Sequence, residues 1–194
     1  MSAILPTIAL FAKYPVPGLA KTRLIPALGA DGAAQVHSQL VERTLRVIRQ
    51  TGLPFAVWTT GAEHSAFAGW LGDDVPLVEQ GGGDLGDRLA RVEAPAILLG
   101  ADVPDLGAQH LLAAAQSLCE LPAVIGPAAD GGYYLLGFTR AVPFVFTDMA
   151  WGTQTVLSDT VARLAAHGVP CHLLEELADC DRPEDLARWP QLIR

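Results

Sequence analysis

A carboxylate follows a short apolar run in the middle of the chain. Residues 96–99 are wholly apolar, Gly100 ends the run, and Asp102 comes two residues later. Such a run predicts a strand buried on both faces, and open α/β sheets bind ligands outside the carboxyl ends of their strands. Asp102 is therefore a candidate binding or catalytic residue, with a turn or helix cap as its alternative role.

Three cations lie close together after the first predicted strand, in a segment with two prolines and a glycine that does not favour a helix. Glycine lets backbone N–H groups approach an anion, lysine supplies a point charge, and arginine supplies a two-pronged donor. The spacing is not that of a Walker A loop. The segment predicts a phosphate-binding loop, with a solvated basic loop as the alternative. Its candidate residues are Lys13, Gly18, Lys21, Thr22 and Arg23.

Further acids follow later predicted strands. Asp130 begins an Asp-Gly-Gly turn, and Asp179 and Asp181 lie near the C-terminus. A second acid at the edge of Asp102 would create a Mg²⁺ or Mn²⁺ site, because such ions take one or two carboxylates plus substrate phosphates. The structural alternatives are a hairpin turn at Asp130 and an N-cap at Asp181, with Glu184 completing a capping box. The candidate metal ligands are Asp102, Asp130 and Asp181.

Glycines and aromatic residues complete the candidate set. Gly82 lies in a run of three glycines, which predicts either a flexible turn or a loop lying against a base or ribose. Tyr133 follows the Asp130 turn, and Trp151 precedes a predicted helix. We expect Asp130, Tyr133 and Trp151 on the acceptor side of the site, with core packing as the alternative for Trp151.

The elements that must position these residues alternate along the chain, which predicts a parallel sheet with right-handed crossovers. No linker or repeat divides the sequence, so we expect a single domain over residues 1–194. The predicted strands are residues 7–12, 55–59, 75–78, 96–99, 123–126, 133–138 and 169–174. The predicted helices are residues 31–50, 63–71, 85–92, 109–118 and 155–167, with a terminal helix from about residue 183.

The amino-acid composition limits the kinds of binding partner and the cellular location that we expect. The net charge of −8 argues against nucleic acid and anionic membranes, because both require a basic surface. Three scattered cysteines form neither a disulfide framework nor a zinc motif, which favours a cytoplasmic protein. No signal peptide is expected, and the apolar run near residues 8–12 is far shorter than the ~20 residues of a membrane span.

Taken together, these segments resemble the DUF2064 group of bacterial GT-A-type glycosyltransferase-like proteins. That group is similar to molybdenum-cofactor and phospholactate nucleotidyltransferases. The resemblance covers nearly the whole chain and departs at Arg182, where such proteins often carry threonine. It rests on residues 11–24 (Phe-Ala-Lys-x-Pro-x-Pro-Gly-x-x-Lys-Thr-Arg-Leu), residues 80–88, residues 100–106, residues 126–137, Trp151-x-Thr153 and residues 179–186.

The resemblance implies a Rossmann-like GT-A fold, that of nucleotide-diphospho-sugar transferases, with a mostly parallel mixed sheet and helices on both faces. By matching position, Lys21 and Arg23 look like the phosphate-binding pair, and Asp102 like the metal-binding acid. The implied function is metal-dependent transfer of a sugar from a nucleotide sugar to a small-molecule acceptor. One alternative is transfer of a nucleotide from a triphosphate to a small phosphorylated acceptor, and another is a non-catalytic nucleotide-binding protein.

Overall fold

A seven-stranded sheet forms the centre of the computed structural model, which describes residues 5–193. The strand order is β3-β2-β1-β4-β6-β5-β7. β6 runs antiparallel to β4 and β5, and the other neighbouring pairs are parallel. The predicted mixed, mostly parallel sheet is therefore confirmed. The strands are β1 (Thr7–Lys13), β2 (Phe55–Thr60), β3 (Leu77–Glu79), β4 (Ala96–Leu99), β5 (Ala123–Pro127), β6 (Tyr133–Phe138) and β7 (Cys171–Leu173).

Helices cover both faces of this sheet. Successive residues of a strand point to opposite faces, so Ile97 of β4 joins one core and Leu98 the other. α1, α2 and α4 pack against the first core, and α3 and α5 against the second. None of the helices described is long and apolar enough to cross a membrane. Their bounds are α1 (Ile25–Thr51, interrupted at Gly29), α2 (His64–Leu71), α3 (Leu85–Leu89), α4 (Ala108–Glu120) and α5 (Val156–Ala166).

The C-terminal segment differs from its prediction. Instead of one α-helix, it forms two 3₁₀ helices, Pro183–Arg188 and Pro190–Ile193. Leu186 and Leu192 of these helices, and Trp189 between them, pack against the first half of α1. Pro190 accounts for the break, because proline lacks the N–H group that a continuing helix requires. Other boundaries also differ from their predictions: the predicted helix 31–50 begins at Ile25, the predicted strand 75–78 begins at Leu77, the predicted helix 85–92 ends at Leu89, and the predicted strand 169–174 shortens to β7.

Candidate active site

The carboxyl ends of three strands meet at one edge of the sheet. Lys13 ends β1, Asp102 follows β4, and Asp130 follows β5. The segment after β7 crosses this edge, where Leu177 donates its N–H to the carbonyl of Pro127 at 3.1 Å. Farther along, Cys180 donates its N–H to the carbonyl of Asp102 at 2.8 Å. These backbone hydrogen bonds bring the segment that contains Asp179 and Asp181 beside Asp102, which follows β4.

Lys21 joins the basic loop to two of these acids. Its ammonium lies 2.8 Å from Asp102 Oδ1 and 3.2 Å from Asp181 Oδ1, and it donates to the carbonyl of Cys180 at 2.7 Å. The Lys21 side chain is 4% exposed. Its backbone is left-handed, with φ 46° and ψ 46°, a conformation that costs a non-glycine residue free energy and persists where surrounding contacts hold it.

The charges in this cluster stabilise one another. Burial lowers the pKa of Lys21, but the negative charges of Asp102 and Asp181 and their hydrogen bonds outweigh it, so the pKa lies above its usual value. Partial desolvation likewise raises the pKa of Asp102, and the charge and hydrogen bond of Lys21 reverse this effect, leaving that pKa below its usual value. Lys21 and Asp102 are therefore both ionised at neutral pH.

Arg23 completes the cluster from the solvent side. Its guanidinium pairs with Asp181 Oδ2, and its side chain is 59% exposed. The alternative role of Asp181 as an N-cap is wrong, because its carboxylate faces the basic loop. The carboxylate of Asp185 accepts the N–H groups of Asp181 and Arg182 instead. Asp185, and not Glu184, thus completes the capping box at the start of the 3₁₀ helix Pro183–Arg188.

A cavity of about 370 Å³ opens at this edge, and we call it the central cavity. Arg23 lies on its wall, and its volume falls in the range of small-molecule sites. Its carboxylates are those of Asp102, Asp130, Asp179 and Asp181. Its apolar wall includes Phe11, Leu85, Leu89, Trp151 and Val156.

A second cavity, the basic-loop cavity, lies over the three cations of the loop. Lys13, Lys21 and Arg23 all line it, together with Thr22, Asp102 and Asp181. Its volume is about 390 Å³. The Lys13 ammonium donates to the carbonyl of Leu19 at 2.9 Å. The structure thus brings four of the five loop candidates together around one cavity. Gly18 and Gly82 line neither cavity, and their binding roles stay predictions.

The residues expected on the acceptor side line the central cavity. Asp130 is held by its turn, because Asp130 Oδ1 accepts the N–H of Gly132 at 2.8 Å. The rings of Tyr133 and Trp151 meet edge to face with centroids 6.5 Å apart. Burial raises the pKa of Tyr133, so its hydroxyl stays protonated at neutral pH. Both aromatic side chains also pack against the second core, so Trp151 combines a core role with a place on the cavity wall.

The Asp130 turn rests on the loop before α5, and a glycine makes that contact possible. A Cβ atom on Gly131, whose φ is +89°, would lie 2.7 Å from Cα of Gln154. Gly152 also has a positive φ, +77°, but a Cβ there meets no atom within 4 Å. We expect Gly131→Ala to lower the free energy of unfolding by about 2 kcal/mol more than Gly152→Ala, because only the first adds overpacking to backbone strain. Urea unfolding of both variants measures this difference, and equal losses would contradict it.

The donor set of the central cavity fits a metal ion shared with a phosphate ligand. No group of three or more histidine, cysteine or acidic side chains in the described chain could hold a metal by itself. Mg²⁺ is commonly held by one or two carboxylates plus substrate phosphates. Asp102, whose side chain is 53% exposed, and the neighbouring acids supply such carboxylates. The predicted ligand roles of Asp102, Asp130 and Asp181 therefore stay predictions, and a phosphate ligand would complete the donor set.

Apart from Trp151, sequence patterns missed the apolar side of the cavity. Phe11 lines it because β1 alternates, with Leu10 in the first core and Phe11 on the opposite face. That alternation can be recognised in the sequence. The position of Leu85 and Leu89 of α3 on the cavity wall, in contrast, depends on the tertiary fold. The contact between Lys21 and Asp181, 160 residues apart, leaves no local signal.

The family model described as "Uncharacterized protein conserved in bacteria (DUF2064)" matches residues 33–153. The chain belongs to this family. No protein of curated function matches it.

Solved structures share the fold of this family member. A candidate nucleotide-diphospho-sugar transferase from Desulfovibrio desulfuricans G20 is 31% identical, with a TM-score of 0.87 over 93% of this chain and 84% of that one. Rv0371c from Mycobacterium tuberculosis H37Rv, in complex with manganese, is 22% identical, with a TM-score of 0.54 over 95% and 97% of the two chains. The 2-C-methyl-D-erythritol 4-phosphate cytidylyltransferase from Thermus thermophilus is 17% identical, with a TM-score of 0.53 over 98% of each. The fold is thus that of nucleotide-diphospho-sugar transferases and cytidylyltransferases.

Proposed function

We propose that this DUF2064 protein is a metal-dependent glycosyltransferase that takes a sugar from a nucleotide sugar. The observation behind this proposal is the adjacency of two cavities at the carboxyl edge of the sheet. The basic-loop cavity suits a diphosphate, because three cations line it. The central cavity suits a sugar and an acceptor, because it combines carboxylates with an apolar aromatic wall. The 31% identical neighbour, itself a candidate nucleotide-diphospho-sugar transferase, supports the same assignment.

In this proposal, each group of site residues has a different role. Arg23 and Lys13 neutralise the phosphates of the donor, and their charge stabilises the diphosphate as it leaves. Asp102, with Asp130, Asp179 or Asp181, would hold Mg²⁺ or Mn²⁺, and the neighbour solved with manganese supports that choice. When bound, the ion would supply Lewis-acid stabilisation of the leaving diphosphate. Tyr133 and Trp151 border the acceptor and keep water away from it.

We also propose a cytoplasmic location for the protein, because its three cysteines are free.

Nucleotide transfer from a triphosphate is the second candidate. The observation that favours it is the number of cations around the basic-loop cavity, where Lys13, Lys21 and Arg23 could together neutralise a longer phosphate chain. The cytidylyltransferase neighbour has the same fold and catalyses this class of reaction by its name. The acceptor would then be a small phosphorylated molecule.

Thermal unfolding with a ligand panel separates the two candidates. The panel contains nucleoside triphosphates and nucleotide sugars, each with and without Mn²⁺. A ligand at 100 times its Kd raises the free energy of unfolding by ~2.7 kcal/mol. We expect a Mn²⁺-dependent stabilisation by one or more nucleotide sugars. Stabilisation confined to triphosphates would favour nucleotide transfer, and stabilisation by none of these compounds would contradict both candidates.

A further inference from the structure

The ammonium of Lys21 lies where a cation shared by Asp102 and Asp181 would lie. It is 2.8 Å from Asp102 Oδ1 and 3.2 Å from Asp181 Oδ1. An ammonium has three N–H donors, and the carbonyl of Cys180, at 2.7 Å, takes the third. The Lys21 side chain is only 4% exposed, so the protein satisfies this charge without help from solvent. The candidate metal carboxylates are therefore already paired with an internal cation.

We infer that Lys21 is a positioning residue that occupies the cation position between Asp102 and Asp181 and excludes a divalent metal until phosphate oxygens draw its ammonium away. Metal and phosphate then enter the site together. The inference rests on the proposed function for the identity of the phosphate ligand, a nucleotide. Its central claim, that Lys21 opposes metal binding, concerns the free protein and can be measured without any nucleotide.

Electrostatics favours this coupling. A divalent ion placed on both carboxylates would face the Lys21 ammonium across a few ångströms, and like charges at that distance repel strongly away from bulk water. Losing both carboxylates would leave Lys21 with the Cys180 carbonyl alone, and a buried charge without its partner is costly. Phosphate oxygens in the adjoining basic-loop cavity, which Lys21 also lines, would supply new acceptors. The flexible four-carbon lysine side chain allows such a change of partner.

Lys13 provides the matched control. It lies in the same loop and lines the same basic-loop cavity, so it contributes the same charge to the region. Its ammonium donates to the carbonyl of Leu19 at 2.9 Å, a backbone oxygen and not a carboxylate. Removing the Lys13 charge thus tests the general electrostatic field, whereas removing the Lys21 charge also vacates the position between Asp102 and Asp181.

The experiment titrates Mn²⁺ alone into the free protein and follows unbound Mn²⁺ by electron paramagnetic resonance. We expect Lys21→Met to bind Mn²⁺ at least about tenfold more tightly than the wild-type protein, and Lys13→Met to stay within about threefold. Adding Asp102→Asn to Lys21→Met should remove the gain, because it takes away one of the two freed carboxylates. Lys21→Arg, which keeps the charge, should retain the weak wild-type affinity.

Lys21→Gln is measured beside Lys21→Met, because its amide keeps N–H donors for the neighbouring oxygens and preserves folding if the apolar side chain does not. The same gain in Mn²⁺ affinity is expected from it. An unchanged Mn²⁺ affinity in these neutral variants, or an equal gain in Lys13→Met, would overturn the inference. This measurement uses no nucleotide and requires no turnover. The Mn²⁺ affinities would therefore still test the role of Lys21 if the proposed transferase activity were absent.

Discussion

Asp102→Asn should lower the turnover of the transferase by at least about 100-fold, because it removes the negative charge at the carboxyl end of β4. Asparagine has the size of aspartate and keeps an oxygen that can accept from Lys21, so the fold should survive. What disappears is the anionic ligand for a divalent cation and the partner that balances Lys21. Turnover is measured with the nucleotide compound that the thermal panel identifies, at saturating Mn²⁺, and the melting temperature is measured in parallel.

Asp105→Asn supplies the control for this loss. Asp105 lies three residues farther along the same loop, and its Oδ1 accepts the indole N–H of Trp189 at 3.0 Å. An asparagine oxygen can still accept that bond, and Asp105 does not line the central cavity. We expect its turnover to stay near that of the wild-type protein. A similar loss in both variants, or full turnover in Asp102→Asn, would remove Asp102 from the site.

The position of Asp102 could be predicted because it depends on local patterns and a general rule. The apolar run before Gly100 is typical of a buried strand, and the carboxyl ends of parallel strands share one edge. The same reasoning placed Asp130, which follows β5 in a hairpin turn. Once the alternation of strands and helices gives a mostly parallel sheet, both acids must lie at the edge where the basic loop also begins.

The environment of Lys21 could not be predicted in this way. Local composition favours a phosphate-binding lysine, but the partners of Lys21 come from residues 180 and 181, at the other end of the chain. Local spacing at Asp181 favours a helix cap, yet the tertiary fold turns its carboxylate toward the basic loop and leaves capping to Asp185. At Asp181 a long-range ion pair overrides the local preference for a cap, and at Lys21 distant residues supply partners that no short window of sequence can reveal.

These contacts also distinguish Lys21 from Arg23, two of the three cations of the loop. Lys21 is enclosed and has all its donors satisfied, whereas Arg23 is 59% exposed and lines both the central and the basic-loop cavity. An exposed guanidinium held at one end by Asp181 can turn its remaining N–H groups toward a ligand. Of these two cations, Arg23 is therefore the one that we expect to make the first contact with phosphate.

Arg23→Ala should weaken binding of the nucleotide compound by about 10- to 100-fold, because a hydrogen bond to a charged group contributes roughly 1.5–3 kcal/mol. The loss should fall mainly on Kd and KM, since Asp102 and the acceptor wall remain in place. Arg23→Lys keeps the charge and loses the two-pronged geometry, so we expect an intermediate affinity. Isothermal titration calorimetry with saturating Mn²⁺ measures all three affinities.

Arg49→Ala separates this role from a general loss of positive charge. Arg49 belongs to α1 and pairs with Asp74 at 2.8 Å in an exposed ion pair, outside both cavities. Surface ion pairs contribute only about 0–1 kcal/mol, so this variant should fold and bind the nucleotide compound with wild-type affinity. If Arg49→Ala weakened binding as much as Arg23→Ala did, the effect would reflect net charge, and the phosphate would have to contact other residues. A loss confined to Arg23→Ala instead places the phosphates between the basic loop and the carboxyl end of β4, where an ammonium drawn away from Asp102 would meet them.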